Sequence, residues 1–274
     1  MDIRRFLRGR LPRSDLENVA EEVASRYGES MVSVEPLEAD NWLSVPFVVN
    51  DRWFVKIITE QHTVVHAVLT AGRNIGAFSS GTEGFFERFE TPLQMAEHEL
   101  EATRKMRGLG LHAPEPLQAF EHGDFGVVVF EYLASFRTLG ELSPERAREF
   151  APLLFEQLSR MHDAGLAHGD LREENVLVAP SPDNHAVEGE TIYFIDATNV
   201  SNNAIEDARA YDLACALGAL APQIGARSAV SAAREFYSTT ELLEARDFLD
   251  FVRLRPDHDF DGELIKGEIE KTAA

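Results

Sequence analysis

The sequence predicts an α+β fold in two parts, a small antiparallel sheet carrying one key helix and then a mainly helical remainder. Three observations predict it. Two apolar runs, Trp42 to Val49 and Arg52 to Ile58, meet at Asn50-Asp51, a dipeptide suited to a tight hairpin turn. Residues Pro92 to about Leu109 carry an apolar stripe at helical spacing. Beyond residue 133, helix-period segments dominate, interrupted by one short hairpin that closes on T-I-Y-F-I-D.

Composition narrows the function. With 274 residues and 44% apolar content, the chain can bury a real core in one large domain or two closely packed lobes. Its 47 acidic and 26 basic residues give a net charge of -21, which argues against nucleic acid as a partner, because such binders recruit Lys and Arg to phosphates. Lysine occurs only at Lys56, Lys105, Lys266 and Lys271. An acid-rich, lysine-poor surface suits a salt-rich cytosol, where screening removes the self-repulsion. Cys215, the only cysteine, sits among Ala214, Ala216 and Leu217 and reads as a core residue, so no internal disulfide is expected. No apolar run approaches the roughly 20 residues that cross a bilayer, and the arginines at 4, 5, 8 and 10 leave no signal-peptide core. A cytoplasmic protein with no membrane partner is the expectation.

In chain order, residues 1–13 form a basic arm, and Ser14-Asp15-Leu16-Glu17 reads as a capping box that starts a helix to about Tyr27, with Gly28 as its stop. The second strand of the hairpin, R-W-F-V-K-I-I, holds Lys56 in an apolar setting. Burying an unpaired ammonium is costly, so a partner is expected. The helix beginning at Pro92 offers one. Glu99 has Met95 and Ala96 a turn before it and Ala102, Thr103 and Met106 after it, whereas Glu101 falls among Glu97, His98, Arg104 and Lys105. Glu99 is therefore the predicted partner and Glu101 the alternative. The long connection 59–91, with a helix-like piece at 64–71 and glycines at 72, 76, 81 and 84, reads as a mobile flap and matches no phosphate-loop pattern.

A hairpin around His122-Gly123-Asp124 leads into the strand Gly126 to Tyr132. The backbone of Glu131 to Leu133 is placed to hydrogen-bond an adenine edge, in the manner of a hinge. Pro144 to Ala164 reads as a helix started by Ser143 and stopped at Gly165. Next comes H-G-D-L-R-E-E-N-V-L-V, His168 to Val178, with Asp170 and Asn175 five residues apart on a loop closed by a short strand. That spacing lets Asp170 face a nucleophile while Asn175 turns toward a metal, the disposition phosphoryl transfer requires. Asp196 ends the following apolar strand and with Asn175 gives two hard oxygen ligands for Mg²⁺. Residues 205–220 read as a buried helix carrying Asp212, an acid that needs a partner. The remainder reads as two or three amphipathic helices containing Arg234 to Phe236 and Leu242 to Leu249, with an acidic, solvated stretch at 256–264.

Lys56, Glu99, H-G-D-L-R-E-E-N and I-D stand in the order of the protein-kinase-like superfamily, and the set resembles the RIO and Bud32 group of atypical serine/threonine protein kinases. It is also similar to aminoglycoside and choline phosphotransferases. The resemblance implies a bilobal protein-kinase-like fold, with ATP and Mg²⁺ as cofactors. The expected boundaries are 1–30 for the arm and first helix, 31–132 for the smaller lobe with its insertion at 59–91, and 133–274 for the larger lobe. By position, Asp170 would be the catalytic base or phosphoryl acceptor, Asn175 and Asp196 the metal ligands, Lys56 the phosphate anchor and Asp212 the support of the catalytic loop.

Two departures qualify the resemblance. No glycine-rich loop precedes Lys56, so the Ser44 hydroxyl or nearby amides would have to cap the phosphates. Only about ten residues separate Asp196 from Asp207, with no D-F-G glycine and no A-P-E. Gly169 replaces the Arg with which a conventional kinase grips a phosphorylated activation loop, and this chain has no such loop. The expected activity is an ATP-dependent phosphotransferase of the RIO-like protein kinase type, also able to act as an ATPase. The alternatives are a small-molecule kinase and a catalytically weak nucleotide-binding scaffold. The phosphoacceptor is left open.

Overall fold

The computed structural model describes residues 11–37, 44–63, 89–182, 187–197, 205–253 and 260–273. The basic arm, the helix-like piece at 64–71 and the glycine-rich flap fall almost wholly outside these. The described chain divides into two units. The first takes in residues up to 63 together with 89–104 and 114–134, and the second takes 105–113 and everything from 135 onward.

In the first unit, helix α1 (Arg13–Arg26) is followed by strands β1 (Val34–Pro36), β2 (Val45–Val49) and β3 (Trp53–Ile58), helix α2 (Pro92–Gly108, its last turn in the second unit), and strands β4 (Pro116–His122) and β5 (Phe125–Glu131). The five strands form one sheet in the order β1-β2-β3-β5-β4, every pairing antiparallel. Asn50 and Asp51 take φ of 54° and 52°, and the N–H of Arg52 donates to the Val49 carbonyl at 3.1 Å. Positive φ at both central residues is the mark of a type I′ turn, whose twist matches that of the strands.

Side chains alternate across a strand, so β3 feeds both faces of the sheet. Trp53, Val55 and Ile57 join Phe47, Val49, Val127 and Val129 beneath Leu16, Val19, Ala20 and Val23 of α1. Ile58, with Phe54 beside it, faces the other way and meets Met95, Ala96 and Leu100 of α2, with Val128 and Phe130. Gly126 lets α2 approach: a Cβ there would lie 2.2 Å from the Pro92 carbonyl oxygen.

Helix α1 starts differently from the sequence expectation. Pro12 is its N-cap, no side chain caps it, and Ser14 is exposed inside the helix. The Pro12 carbonyl receives the N–H groups of Asp15 and Leu16. Proline has no N–H to strand, which moves the start ahead of Ser14. The stop is as expected: Gly28 has φ 77°, and the Glu29 N–H returns to the Ala24 carbonyl.

The second unit contains β6 (Arg137–Thr138), helix α3 (Pro144–Asp163), β7 (Val176–Pro180), β8 (Glu190–Phe194) and helices α4 (Ile205–Ile224), α5 (Ala226–Ala233), α6 (Thr239–Arg253) and α7 (Gly262–Ala273). The three strands pair as β6-β7-β8. Ser143 accepts the Arg146 N–H at 3.3 Å as the N-cap of α3, and Gly165 ends that helix at φ 73°. Apolar residues surround α4, which is buried along nearly its whole length, Cys215 included. Its Tyr211 ring packs 5.7 Å from Phe251 and 6.3 Å from Phe248 of α6. Arg234 to Phe236, expected within a helix, instead form the turn after α5, whereas Leu242 to Leu249 lie in α6. In the acidic stretch, Asp261 Oδ1 accepts the N–H groups of Glu263 and Leu264 and caps α7.

Candidate active site

Each unit carries its own group of polar residues. In the first, the strand alternation that sends Ile58 toward α2 sends Lys56 there too. Its Nζ lies 2.7 Å from Glu99 Oε1, with side-chain exposures of 4% and 14%. Glu101 is on the open face, 4.0 Å from Arg104. The helix holds Glu99 through packing on both sides of it along the stripe: Met95, Ala96 and Leu100 are buried, and Thr103 Oγ1 donates to the Glu99 carbonyl at 2.9 Å. Pairing with Glu99 offsets the cost of taking the ammonium out of water.

Ser44 is buried immediately ahead of β2, and residues 38–43 before it lie outside the described set. Glu131 is the exposed last residue of β5, with Leu133 half-buried just beyond. The backbone here is partly committed. The Glu131 N–H donates to the Glu115 carbonyl and the Tyr132 N–H to the Arg52 carbonyl, each at 2.9 Å. Sheet pairing has therefore taken two of the three N–H groups of the expected hinge, which leaves Leu133 as the donor of that segment.

In the second unit, the loop after α3 places His168, Asp170 and Asn175 in the interior, 0%, 5% and 2% exposed. Gly169 has φ 78°. An L-residue pays a steric penalty in that region, so the glycine has a backbone reason as well as the absent activation loop. Asn175 closes a 3₁₀ turn (Glu173–Asn175) and points back, its Nδ2 donating to the Asp170 carbonyl at 2.7 Å and to Asp170 Oδ2 at 3.3 Å. Those bonds orient the amide so that Oδ1 is the atom it can offer a cation. Arg172 Nε stands 3.5 Å from Asp170 Oδ2, a favourable charge beside the carboxylate that the sequence reading passed over.

His168 ties the loop to the end of β8. Its Nε2 is 2.9 Å from the Ile195 carbonyl and its Nδ1 3.3 Å from the Asp170 N–H. A carbonyl only accepts and an amide N–H only donates, so the ring is neutral with its proton on Nε2. Burial lowers its pKa, opposed by the charges of Asp212, Asp170 and Asp196. The Ile195 N–H donates to the Asn175 carbonyl at 3.1 Å. These two bonds tie Ile195, at the end of β8, to the loop that carries Asn175, and Asp196 follows it, half-buried and at φ 60°. A non-glycine residue held at positive φ is strained, and strain of this kind collects at functional positions.

The whole loop hangs from Asp212 on α4. Its Oδ2 accepts the His168 N–H at 2.5 Å and its Oδ1 the Gly169 N–H at 2.8 Å, and all three residues are buried. Among the described residues no group of three or more His, Cys, Asp or Glu is placed to hold a metal ion. One amide oxygen and one carboxylate, Asn175 and Asp196, nevertheless fit Mg²⁺, which takes few protein oxygens and completes its shell with water and phosphate.

A family model described as the RIO domain matches residues 77–209. Among solved structures, the Rio2 kinase from Chaetomium thermophilum is similar at 14% identity, covering 96% of this chain and 80% of its own, with a TM-score of 0.50. The GDP complex of wild-type aminoglycoside 2'-phosphotransferase-IIIa is similar at 13% identity, covering 94% of this chain and 99% of its own, with a TM-score of 0.53. No curated protein matches in sequence. At these identities the structural likeness establishes a shared α+β, kinase-like fold. The RIO-domain match spans just under half of the chain and is a similarity to that family over those residues.

Proposed function

We propose that the chain is an ATP-dependent phosphotransferase of the RIO-like atypical serine/threonine protein kinase type, with hydrolysis of ATP as its output when water replaces the acceptor. The observation that carries this reading is the loop 168–175, in which a buried carboxylate is aimed by Asn175 and Arg172 and fixed through Asp212. Phosphoryl transfer asks for this kind of positioning more than for covalent chemistry. Asp170 accepts the proton of the attacking hydroxyl as its oxygen bonds to the γ-phosphorus, and the bond from that phosphorus to the bridging oxygen breaks to release ADP. Arg172, with its Nε 3.5 Å from Asp170 Oδ2, adds a positive charge beside that carboxylate. Lys56, steadied by Glu99, anchors the nucleotide phosphates, with Ser44 capping them and the backbone at Glu131 and Leu133 meeting the base. Asn175 Oδ1 and Asp196 would hold Mg²⁺, which offsets phosphate charge when bound.

Only about ten residues separate Asp196 from Asp207, fewer than a conventional kinase uses to dock peptides, and the acceptor is left open. A small-molecule acceptor is the second reading, favoured by the similarity to an aminoglycoside phosphotransferase over nearly its whole length. The charge of -21 supports a salt-rich cytoplasmic setting and argues against nucleic acid. Among the described residues no helix is long and apolar enough to cross a membrane.

The test is a labelled-ATP assay with Mg²⁺ at high salt. Release of phosphate or labelling of protein is expected, and both Asp170→Asn and Asp196→Asn should abolish it. Turnover that survives both substitutions would remove the mechanism, and label appearing only on an added metabolite would favour the second reading.

A further inference from the structure

Asp212 is itself held in place. Its Oδ2 lies 3.3 Å from His162 Nε2 on α3, and His162 Nδ1 lies 2.9 Å from the Tyr237 hydroxyl in the turn between α5 and α6. Exposure is 0% at Asp212, 1% at His162 and 6% at Tyr237. A carboxylate can only accept, so His162 presents Nε2–H to it while Nδ1 faces the tyrosine hydroxyl. Burial and the charge of Asp212 both raise the Tyr237 pKa, so the hydroxyl keeps the proton it donates. Packing fixes the two rings as well: Tyr237 meets His162 edge-on at 5.8 Å and Phe155 edge-on at 6.4 Å.

We infer that Tyr237 is a positioning residue that sets the peptide of the catalytic loop through His162 and Asp212. The oxygen that His162 steadies is the one that accepts the His168 N–H, so rotation of the carboxylate would release the peptide next to Asp170. Tyr237 holds the His162 ring at Nδ1, His162 fixes the carboxylate plane through Nε2–H, and the carboxylate fixes His168 and Gly169. A static packing role predicts only a loss of stability. A positioning role predicts a loss of turnover at unchanged ATP affinity, transmitted in that order.

This inference rests on the phosphotransferase reading for its kinetic arm and on hydrogen exchange for an arm independent of activity. Tyr237→Phe keeps the ring and removes the hydroxyl. It should lower kcat by roughly 3- to 10-fold, the worth of one buried hydrogen bond, with KM for ATP unchanged. Exchange at the His168 and Gly169 amides should quicken by a similar factor relative to α4 amides. His162→Leu should have at least that effect, His162→Gln should restore part of it because its amide can both donate and accept, and Tyr237→Phe should add nothing in the His162→Leu background. Independent, additive losses would overturn the inference, as would normal kcat and exchange in a folded Tyr237→Phe protein. If the wild-type chain turns over no ATP, the functional reading fails while the exchange arm still decides the inference.

Discussion

Replacing Asp212 by Asn changes one atom of a fully buried side chain and tests how the catalytic loop is held. In the native protein both carboxylate oxygens accept a backbone N–H, from His168 at 2.5 Å and from Gly169 at 2.8 Å. An amide can match only one of them, and its NH₂ must face the other N–H donor. The bond that survives loses its ionic partner, worth about 1 kcal/mol, and the stranded N–H costs about 1–3 kcal/mol more. The expected destabilisation is therefore about 2–4 kcal/mol, read as a lower urea midpoint by circular dichroism at unchanged m. Turnover should fall further than the folded fraction does, because Asp170 follows His168 and Gly169 directly. Asp212→Ala, which strands both N–H groups, should be worse still. A loss below about 1 kcal/mol with normal turnover would refute the view that Asp212 suspends the loop.

Glu99→Gln removes the carboxylate 2.7 Å from a 4%-exposed ammonium and should cost about 3 kcal/mol, near the lower end for breaking a buried pair, whereas Lys56→Met with Glu99→Leu should recover most of that stability while ATP binding by calorimetry stays weak. Binding that returns with stability would remove Lys56 from the nucleotide. Gly126→Ala should destabilise by about 1–3 kcal/mol, since the new Cβ would fall 2.2 Å from backbone at Pro92 and push α2 from the sheet. ATP affinity should weaken with it, and a neutral outcome by urea titration would show that α2 is not seated there. His168 is held neutral by burial, so its contribution to stability is whole above the unfolded histidine pKa of about 6.5 and is lost as pH falls from there toward its lowered folded pKa. Urea midpoints at pH 8 and pH 6 should differ more for the wild type than for His168→Gln, and equal differences would contradict a buried neutral ring.

Residues whose surroundings lie close in sequence were legible. Lys56 stood out as a charge in an apolar strand and Glu99 as an acid in an apolar helical stripe, and strand alternation and helix phase suffice to turn them toward each other. Asn50-Asp51, Ser143 and Gly28 are likewise local signals with local outcomes. Asp212 was recognisable as a buried acid that needed partners, although its two particular N–H donors lie more than forty residues away. What escaped was set by distant contacts or by competition. His162 and Tyr237 are 75 residues apart, and nothing in either neighbourhood announces the other. The capping box at Ser14 lost to a proline two residues earlier. The N–H groups of Glu131 and Tyr132 were claimed by Glu115 and Arg52, a result of strand register that composition does not encode. The strain at Asp196 is a property of the path between β8 and the catalytic loop, visible only once that path is drawn.

The suspension of residues 168 and 169 from residue 212 also orders events in time. A chain growing from its N-terminus completes α3, the loop and β7 well before the acceptor for those two N–H groups has been made. Until α4 has formed and docked, the loop has only its local bonds and samples many shapes, and closing a connection of some forty residues carries an entropic cost that only the finished helix can offset. A nascent chain therefore carries Asp170 and Asn175 before it can fix the peptide that precedes them. The geometry of the loop arrives late, with the helix that holds it.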